Sequence, residues 1–194
     1  MKIIYTSSDF KKWRKSISPL ESIGFVPTMG ALHQGHLSLV KSSTSNADIT
    51  VVSIFVNPTQ FSEDEDFDTY PRNFDDDINK LKPYNVEVVF APMADDVFGD
   101  GDSGVVFNHH FSKVLEGASR PHFFPGVINV VSKLFDIIKP DFAHFGEKDA
   151  QQLILIEQFV AQMNLPIKII SGETIRESGG LAMSSRNEYL TDEQ

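Results

Sequence analysis

The stretch from 23 to 40, IGFVPTMGALHQGHLSLV, constrains the fold more than any other part of the chain. Its apolar start ends at Pro27, which predicts a short buried strand followed by a breaker. Glycines and histidines come next, and then Leu37 and Val40 lie three residues apart, as on one face of a helix. A strand, a turn and a helix in this order are typical of one corner of an α/β sheet.

His33 and His36 fall at the turn of this corner. If the apolar helix face is extended by one turn towards the N-terminus, it carries both imidazoles just beyond the strand end. In open α/β sheets ligands bind in the crevice at the strand ends, and a helix start favours phosphate. Both histidines could instead merely cap the corner, and their spacing alone leaves the two interpretations open.

Composition limits the classes of function. The 194 residues suffice for one domain, or one domain plus a fragment. A formal net charge of −10 argues against a nucleic-acid partner, although a few local cations would suffice for a small anionic substrate. The absence of cysteine excludes disulfides and thiolate metal sites. No apolar run approaches the roughly 20 residues of a membrane helix and no secretory signal is visible, so we expect a cytoplasmic protein without a membrane partner.

Strand and helix patterns alternate along the whole chain. Strands are predicted over 2–5, 23–26, 49–56, 86–90, 142–145 and 167–170. One helix is predicted to begin after Ser8 as its N-cap, a second covers 70–82, and two further helices end at 138 and at 163. This alternation predicts an α/β fold with a Rossmann-like doubly wound, mainly parallel sheet and helices on both faces. Asp75, Asp76 and Asp77 fall in one first helical turn, where they suit the helix dipole. His144, inside a strand, is expected to be a satisfied packing residue.

Four separated motifs fall at predicted strand ends or helix starts: PTMGALHQGH (27–36), VNPTQF (56–61), GEKDAQQ (146–152) and MSSRN (183–187). Together they resemble the pantoate–β-alanine ligase family, in the nucleotidylyltransferase superfamily whose hallmark is H-x-G-H. The resemblance spans essentially all 194 residues. In one stretch the chain departs from the family, because Phe123 occupies the position of a family histidine and His122 lies one position early. We therefore assign His122 no role.

The resemblance implies ATP and Mg²⁺ as cofactors and a set of site residues. As catalytic residues it implies His36, His33, Lys148 and Arg186. As ATP-binding residues it implies Met29, Gly30, Ala31, Leu32, His33, Gln34, Gly35, His36, Gly146, Glu147, Lys148, Asp149, Ile175, Met183, Ser184, Ser185 and Arg186. As substrate-binding residues it implies Gln60, Gln152, Asn57 and Arg120. By family analogy a magnesium role for Asp76 or Asp77 is an alternative to their role at the helix start, and no direct metal ligand is assigned.

The reaction implied by the resemblance is the ATP-dependent condensation of (R)-pantoate with β-alanine to pantothenate. It proceeds through a pantoyl adenylate and releases AMP and pyrophosphate. Two alternatives remain open: a nucleotidylyltransferase that acts on a phosphorylated acceptor, and an inactive nucleotide-binding fragment. The family further implies a homodimer, a catalytic domain over 1–187, and the start of a truncated C-terminal domain over 188–194.

Overall fold

A computed structural model of the chain describes residues 1–99 and 104–191. One sheet contains the strands β1 (Lys2–Ile4), β2 (Ile23–Thr28), β3 (Ile49–Ile54), β4 (Val88–Phe90), β5 (Phe142–Gly146) and β6 (Lys168–Gly172). Their order across the sheet is β1-β4-β3-β2-β5-β6, and the neighbouring strands pair in parallel. The predicted parallel α/β sheet is confirmed.

Helices cover both faces of the sheet, as the sequence predicts. They are α1 (Ser7–Ser16), α2 (Gln34–Asn46), α3 (Phe74–Leu81), α4 (Ala94–Phe98), α5 (Glu116–Ser119), α6 (Phe123–Ile138) and α7 (Ala150–Gln162). Side chains alternate along each strand, so Phe25 and Val51 face a core cluster with α1, α6 and α7, whereas Val26 and Val52 face a second cluster with α2 and α3. Burial on both faces explains why β3 is almost continuously apolar.

Pro27 does not end β2, contrary to the sequence-based prediction, because the strand continues to Thr28. The pairing of β2 with β5 covers only Gly24–Phe142 and Phe25–Ala143, whereas β2 pairs with β3 along its whole length. Beyond Phe25 the strand therefore has a single neighbour and resembles an edge strand. Proline is tolerated at such a position, since no second ladder needs its missing N–H.

Two predicted helix starts are also wrong by a few residues. The N-cap of α1 is Thr6 rather than Ser8, and its hydroxyl accepts a hydrogen bond from the Asp9 N–H. Helix α3 begins at Phe74 with Asn73 as N-cap instead of opening at Tyr70. Both true caps are residues whose side-chain oxygen accepts a backbone N–H of the first turn.

The expected start of a second domain, over 188–194, lies partly outside the described residues. A 3₁₀ turn, Ser185–Tyr189, covers its first positions and packs on the same unit as the sheet, since Tyr189 contacts Asp66. Among the described residues, no helix combines the length and the apolarity that are needed to cross a membrane.

Candidate active site

A crevice opens where β2 and β5 separate after Phe25. From there β2 continues beside β3, and β5 continues beside β6 to the pair Gly146–Gly172. The strand order also reverses at this point, since β3 and β4 lie on one side of β2 and β5 and β6 on the other. Ligands of open α/β sheets bind at such a switch point. A cavity of about 260 Å³ occupies the crevice.

Most of the site residues implied by the resemblance line this one cavity. They are Met29, His33, Gly35, His36, Asn57, Gln60, Arg120, Gly146, Lys148, Asp149, Gln152, Ile175, Met183, Ser184, Ser185 and Arg186. The structure thus brings together residues from all four motifs, including both imidazoles. Gly30, Ala31, Leu32, Gln34 and Glu147 are not among the lining residues.

The two histidines cap α2 and also line the cavity, so the two interpretations of their spacing do not exclude each other. His33 is the N-cap, and its Nδ1 accepts a hydrogen bond from the Gly35 N–H at 3.1 Å. His36 Nδ1 accepts from the His33 N–H at 3.4 Å. Because each Nδ1 is an acceptor, each neutral ring carries its proton on Nε2, which remains a donor.

Burial keeps both imidazoles neutral. Burial, followed by the neighbouring His33 and Lys148, lowers the pKa of His36 to about 3. Burial also lowers the pKa of His33, with Lys148 as the next cause. Positive charge at this side of the cavity therefore comes from Lys148 and not from the histidines. The rings can act as hydrogen-bond donors at neutral pH.

Asp77 fixes the loop that leads into α2. The sequence predicts only a role for Asp77 at the start of its own helix. Its side chain is buried, Oδ2 accepts from the Ala31 N–H at 2.9 Å, and Oδ1 accepts from the Leu32 N–H at 2.6 Å. These bonds support a loop in which Ala31 has a φ of 49° and Gly30 a φ of 84°. Burial raises the pKa of Asp77, while the two backbone hydrogen bonds oppose that shift.

The contacts of these aspartates do not support the alternative magnesium role. Both Asp77 oxygens accept backbone hydrogen bonds, and Asp76 pairs with Lys80 at 2.7 Å. Within 1–99 and 104–191 no group of three or more His, Cys, Asp or Glu side chains could hold a metal ion. In this structure Asp77 contacts the loop before α2, and Asp76 contacts Lys80.

Gln60 is oriented by a buried turn after β3. Asn57 is 1% exposed, and its Nδ2 donates to Gln60 Oε1 at 3.1 Å and to the Gly126 carbonyl at 3.3 Å. The Gln60 Nε2 lies 3.1 Å from Met29 Sδ. The turn approaches α6 so closely that a Cβ on Gly126 would lie 2.3 Å from the Thr59 carbonyl oxygen. Asn57 thus holds Gln60 in place against α6.

Lys148 and Gln152 reach the cavity from the other side. Lys148 lies in a 3₁₀ turn, Glu147–Asp149, directly after β5, and its Nζ is 3.0 Å from Asp149 Oδ1. Gln152 follows in the first turn of α7. A lysine at a helix start is disfavoured by the helix dipole. Its position at the cavity is therefore explained best by an anionic ligand.

Arg120 lines the cavity, but carboxylates already engage its guanidinium. Nε and Nη2 each donate to Glu65 at 2.7 Å, and Nη1 donates to Glu116 at 2.7 Å. The guanidinium also lies 4.0 Å from the ring centroid of Phe123. His122 is not among the lining residues. Arg120 therefore links the loop after Gln60 to α5.

His144 corrects one sequence-based expectation. It is fully buried in β5 and lines the cavity, but neither ring nitrogen has a hydrogen-bond partner among the described residues. Burial lowers its pKa to about 4. Sequence reasoning also did not identify Thr28, Tyr70, Glu116 and Thr174 as lining residues. Of these, Thr28 directly follows the predicted breaker Pro27 and Tyr70 is the predicted start of a helix, so both carry a positional signal.

The reversal point of a doubly wound parallel sheet, with a polar cavity at its carboxyl edge, defines the class of α/β proteins that bind ligands at a switch point. Within that class the chain belongs to the pantoate–β-alanine ligase family, since a sequence model described as Pantoate-beta-alanine ligase matches residues 2–194. The H-x-G-H stretch, 33–36, lies at this switch point.

Individual relatives agree with this family. Pantothenate synthetase of Staphylococcus epidermidis strain ATCC 35984 is 53% identical over 175 residues, which are 90% of this chain and 61% of that protein. Pantothenate synthetase of Thermosipho africanus is 48% identical over 195 residues, covering 100% of this chain and 70% of that protein. The chain thus spans about three fifths of the length of the Staphylococcus relative.

Solved structures show the same fold. Pantothenate synthetase from Thermus thermophilus superposes with a TM-score of 0.93 at 39% identity, covering 100% of this chain and 69% of that one. Pantoate-β-alanine ligase from Francisella tularensis, complexed with β-γ ATP and β-alanine, superposes with a TM-score of 0.95 at 44% identity. The superposition covers 99% of this chain and 74% of that one.

Proposed function

We propose that this chain binds ATP and pantoate and carries out the chemistry of a pantoate–β-alanine ligase. One observation carries the proposal: His33, His36, Gln60, Lys148, Gln152 and Arg186 line a single cavity at the switch point of the sheet. The Francisella relative, solved with an ATP analogue and β-alanine, supports the same substrate class.

In the first step the pantoate carboxylate attacks the α-phosphorus of ATP and expels pyrophosphate. A carboxylate is already a nucleophile, so the step needs no general base. The site instead has to align the reactants and stabilise the charge that develops on the phosphate oxygens. Lys148 and Arg186 supply positive charge, whereas the Nε2–H groups of His33 and His36 supply neutral donors beside the start of α2.

The acid is positioned by the two glutamines. Gln60 and Gln152 both line the cavity and offer amide donors and acceptors to the carboxylate and hydroxyl groups of pantoate. The cavity also has an apolar wall, which residues of α6 such as Val130 and Leu134 line. This wall suits the dimethyl carbon of pantoate. In the second step the amine of β-alanine attacks the acyl carbon of the adenylate and releases AMP.

Magnesium enters this proposal as a part of the substrate. The contacts of Asp76 and Asp77 leave no carboxylate cluster for a resident ion among the described residues. Mg²⁺ would therefore arrive bound to the phosphates of ATP, and Lys148 and Arg186 would contact the same phosphates.

Isotope exchange between pyrophosphate and ATP tests the proposal on this chain. We expect exchange that depends on (R)-pantoate. Without β-alanine only the adenylation step takes place, and its reversal returns labelled pyrophosphate to ATP. Exchange that needs a phosphorylated acceptor instead would identify a nucleotidylyltransferase. ATP binding without exchange under either condition would identify a nucleotide-binding fragment.

We further propose, on the family resemblance, a cytoplasmic homodimer whose catalytic domain covers 1–187. The additional length of the relatives would then form a second domain that starts near 188. Light scattering on the purified chain tests the dimer, since the mass of one chain is 21.7 kDa. A monomer that still catalyses the exchange would separate dimerisation from the chemistry.

A further inference from the structure

Asp66 is the carboxylate that faces Arg186, and none of the sequence motifs assigns it a role. It lies in the loop between Gln60 and α3. Its Oδ2 accepts from Arg186 Nε at 2.8 Å, and its Oδ1 accepts from Arg186 Nη2 at 2.8 Å. This bidentate geometry is the strongest and most directional form of an arginine–carboxylate contact. It joins two loops that are 120 residues apart in the sequence.

Neighbouring side chains hold this pair in place. The Tyr189 hydroxyl donates to Asp66 Oδ2 at 3.1 Å and lies 3.3 Å from the Thr69 carbonyl oxygen. The guanidinium carbon of Arg186 lies 5.4 Å from the ring centroid of the buried Tyr70. Ser185, the preceding residue, donates to the Ala31 carbonyl at 3.0 Å. Arg186 is thus fixed from several directions although its side chain is 44% exposed.

The bidentate contact decides which edge of the guanidinium is available. Nε–H and one N–H of Nη2 face Asp66, so the two N–H groups of Nη1 and the second N–H of Nη2 form the edge that is not directed at this carboxylate. Arg186 is also one of the residues that line the cavity. An arginine that is already ordered loses less rotamer freedom when an anion binds.

We propose that Asp66 is a positioning residue: it holds Arg186 in one orientation, so that the free edge of the guanidinium meets the phosphates of the nucleotide. This inference deepens the proposed function and rests on it. Asp66 itself does not contact the substrate.

A competing role of Asp66 would change the affinity for ATP in the opposite direction. If Asp66 withheld Arg186 from the phosphates, removing its charge would strengthen the binding of ATP. Removing any carboxylate near the cavity also weakens general repulsion of an anion. Asp68 controls for this second effect, because it carries the same charge in the same loop and is exposed, while the contacts of Arg186 are with Asp66.

The test is calorimetric titration of ATP and of adenosine into wild type, Asp66→Asn, Asp66→Glu and Asp68→Asn at one salt concentration. We expect Asp66→Asn to bind ATP about tenfold more weakly than Asp68→Asn, the scale of one immobilised side chain. Adenosine, which has no phosphate, should bind Asp66→Asn as it binds wild type. Asp66→Glu keeps the carboxylate and should recover part of the affinity for ATP.

Arg186→Ala supplies the second arm. If Asp66 acts through Arg186, Asp66→Asn should change ATP affinity little in the Arg186→Ala background. The inference is overturned if Asp66→Asn binds ATP as tightly as Asp68→Asn, if it loses adenosine affinity equally, or if its effect persists without Arg186. A wild-type chain that binds no ATP would instead overturn the proposed function, and this inference with it.

Discussion

His33 and His36 each use Nδ1 to accept a backbone N–H at the start of α2 and keep an N–H on Nε2. One side chain therefore orders the helix start and also offers a donor to a ligand. Lys148 adds the positive charge that the neutral rings do not supply. At the residue scale, the polar part of the site consists of a few hydrogen-bond donors, and backbone N–H groups orient the two histidine rings among them.

His36→Ala and Lys148→Ala should each lower pantoate-dependent exchange at least about 100-fold, the loss seen when a transition-state donor is removed. Both variants should stay folded, because losing one cap contact costs only about 1 kcal/mol. Lys12→Ala, on the exposed side of α1, is the control. Wild-type rates in a folded variant would remove that residue from the mechanism.

His144 should make the fold sensitive to acid. The unfolded chain takes up a proton at this ring below its ordinary pKa of 6.5, whereas the folded chain does so only near 4. The free energy of unfolding should therefore decrease between these pH values as the pH falls, by up to about 3 kcal/mol. Above pH 6.5 the ring is neutral in both states and contributes no such dependence.

Denaturant unfolding of His144→Phe at pH 7 and at about pH 5 measures this effect. The variant should lose less stability between the two pH values than wild type. It should be more stable at neutral pH by about 1 kcal/mol or more, since two buried unpaired nitrogens are removed. His36, whose pKa burial also lowers, should keep part of the slope. The exposed His110→Gln serves as control, and an equal slope in both variants would contradict the prediction.

The residue types of the site could be predicted from the sequence, but the supporting contacts could not. The resemblance implies site residues in the H-x-G-H and GEKDAQQ stretches, and most of them line the cavity. The acidic run from 63 to 77 offers many equivalent carboxylates, and only tertiary packing selects Asp66 and Asp77. A weak signal existed for Asp77, since it shares a helix face with the buried Leu81.

At the scale of elements, α3 and the loop before α2 form one unit. Asp77 reaches from the helix to two loop N–H groups, and Lys80, one turn later, donates to the Leu32 carbonyl at 2.7 Å. The loop contains a non-glycine residue with positive φ, Ala31, which such contacts have to stabilise. The position of the histidines therefore depends on a helix that does not itself line the cavity with its own side chains.

Asp77→Asn should destabilise the protein by about 1–3 kcal/mol, because an amide oxygen can accept only one of the two buried N–H groups in the same geometry. Asp75→Asn makes the same chemical change at an exposed position of α3 and should change stability little. Thermal and denaturant unfolding of the two variants gives the comparison. Equal stabilities would show that the loop does not need the carboxylate.

Element types were more predictable than element ends. The apolar, β-branched composition of β3 and the periodic apolar positions of α6 identify those elements without tertiary information. The role of Pro27 depends on how far β5 pairs with β2, which no local pattern records. The starts of α1 and α3 depend on which of several adjacent polar residues accepts a first-turn N–H.

At the scale of the whole molecule, an acidic chain presents a cavity with local basic residues. The formal net charge is −10, but Lys148, Arg120 and Arg186 line the cavity. The sequence predicts that the four motifs meet at this cavity, because the carboxyl ends of parallel strands lie at one edge of a sheet. How far β2 and β5 pair before they separate at the crevice depends on packing, and only the structure shows it.

In the described part of the chain, β2 and β5 pair at Gly24–Phe142 and Phe25–Ala143, beside a hydrogen bond from the Asp141 N–H to the Ile23 carbonyl, and they separate after Phe25. Amide hydrogen exchange should therefore be faster on the β2 and β5 groups that face each other than on those between β2 and β3. Bound ATP should slow that exchange, since the ligand bridges the gap, while exchange between β3 and β4 should stay the same. Equal protection with and without ATP would contradict this expectation. The seam between β2 and β5 would then be a part of the sheet whose local stability depends on the bound nucleotide.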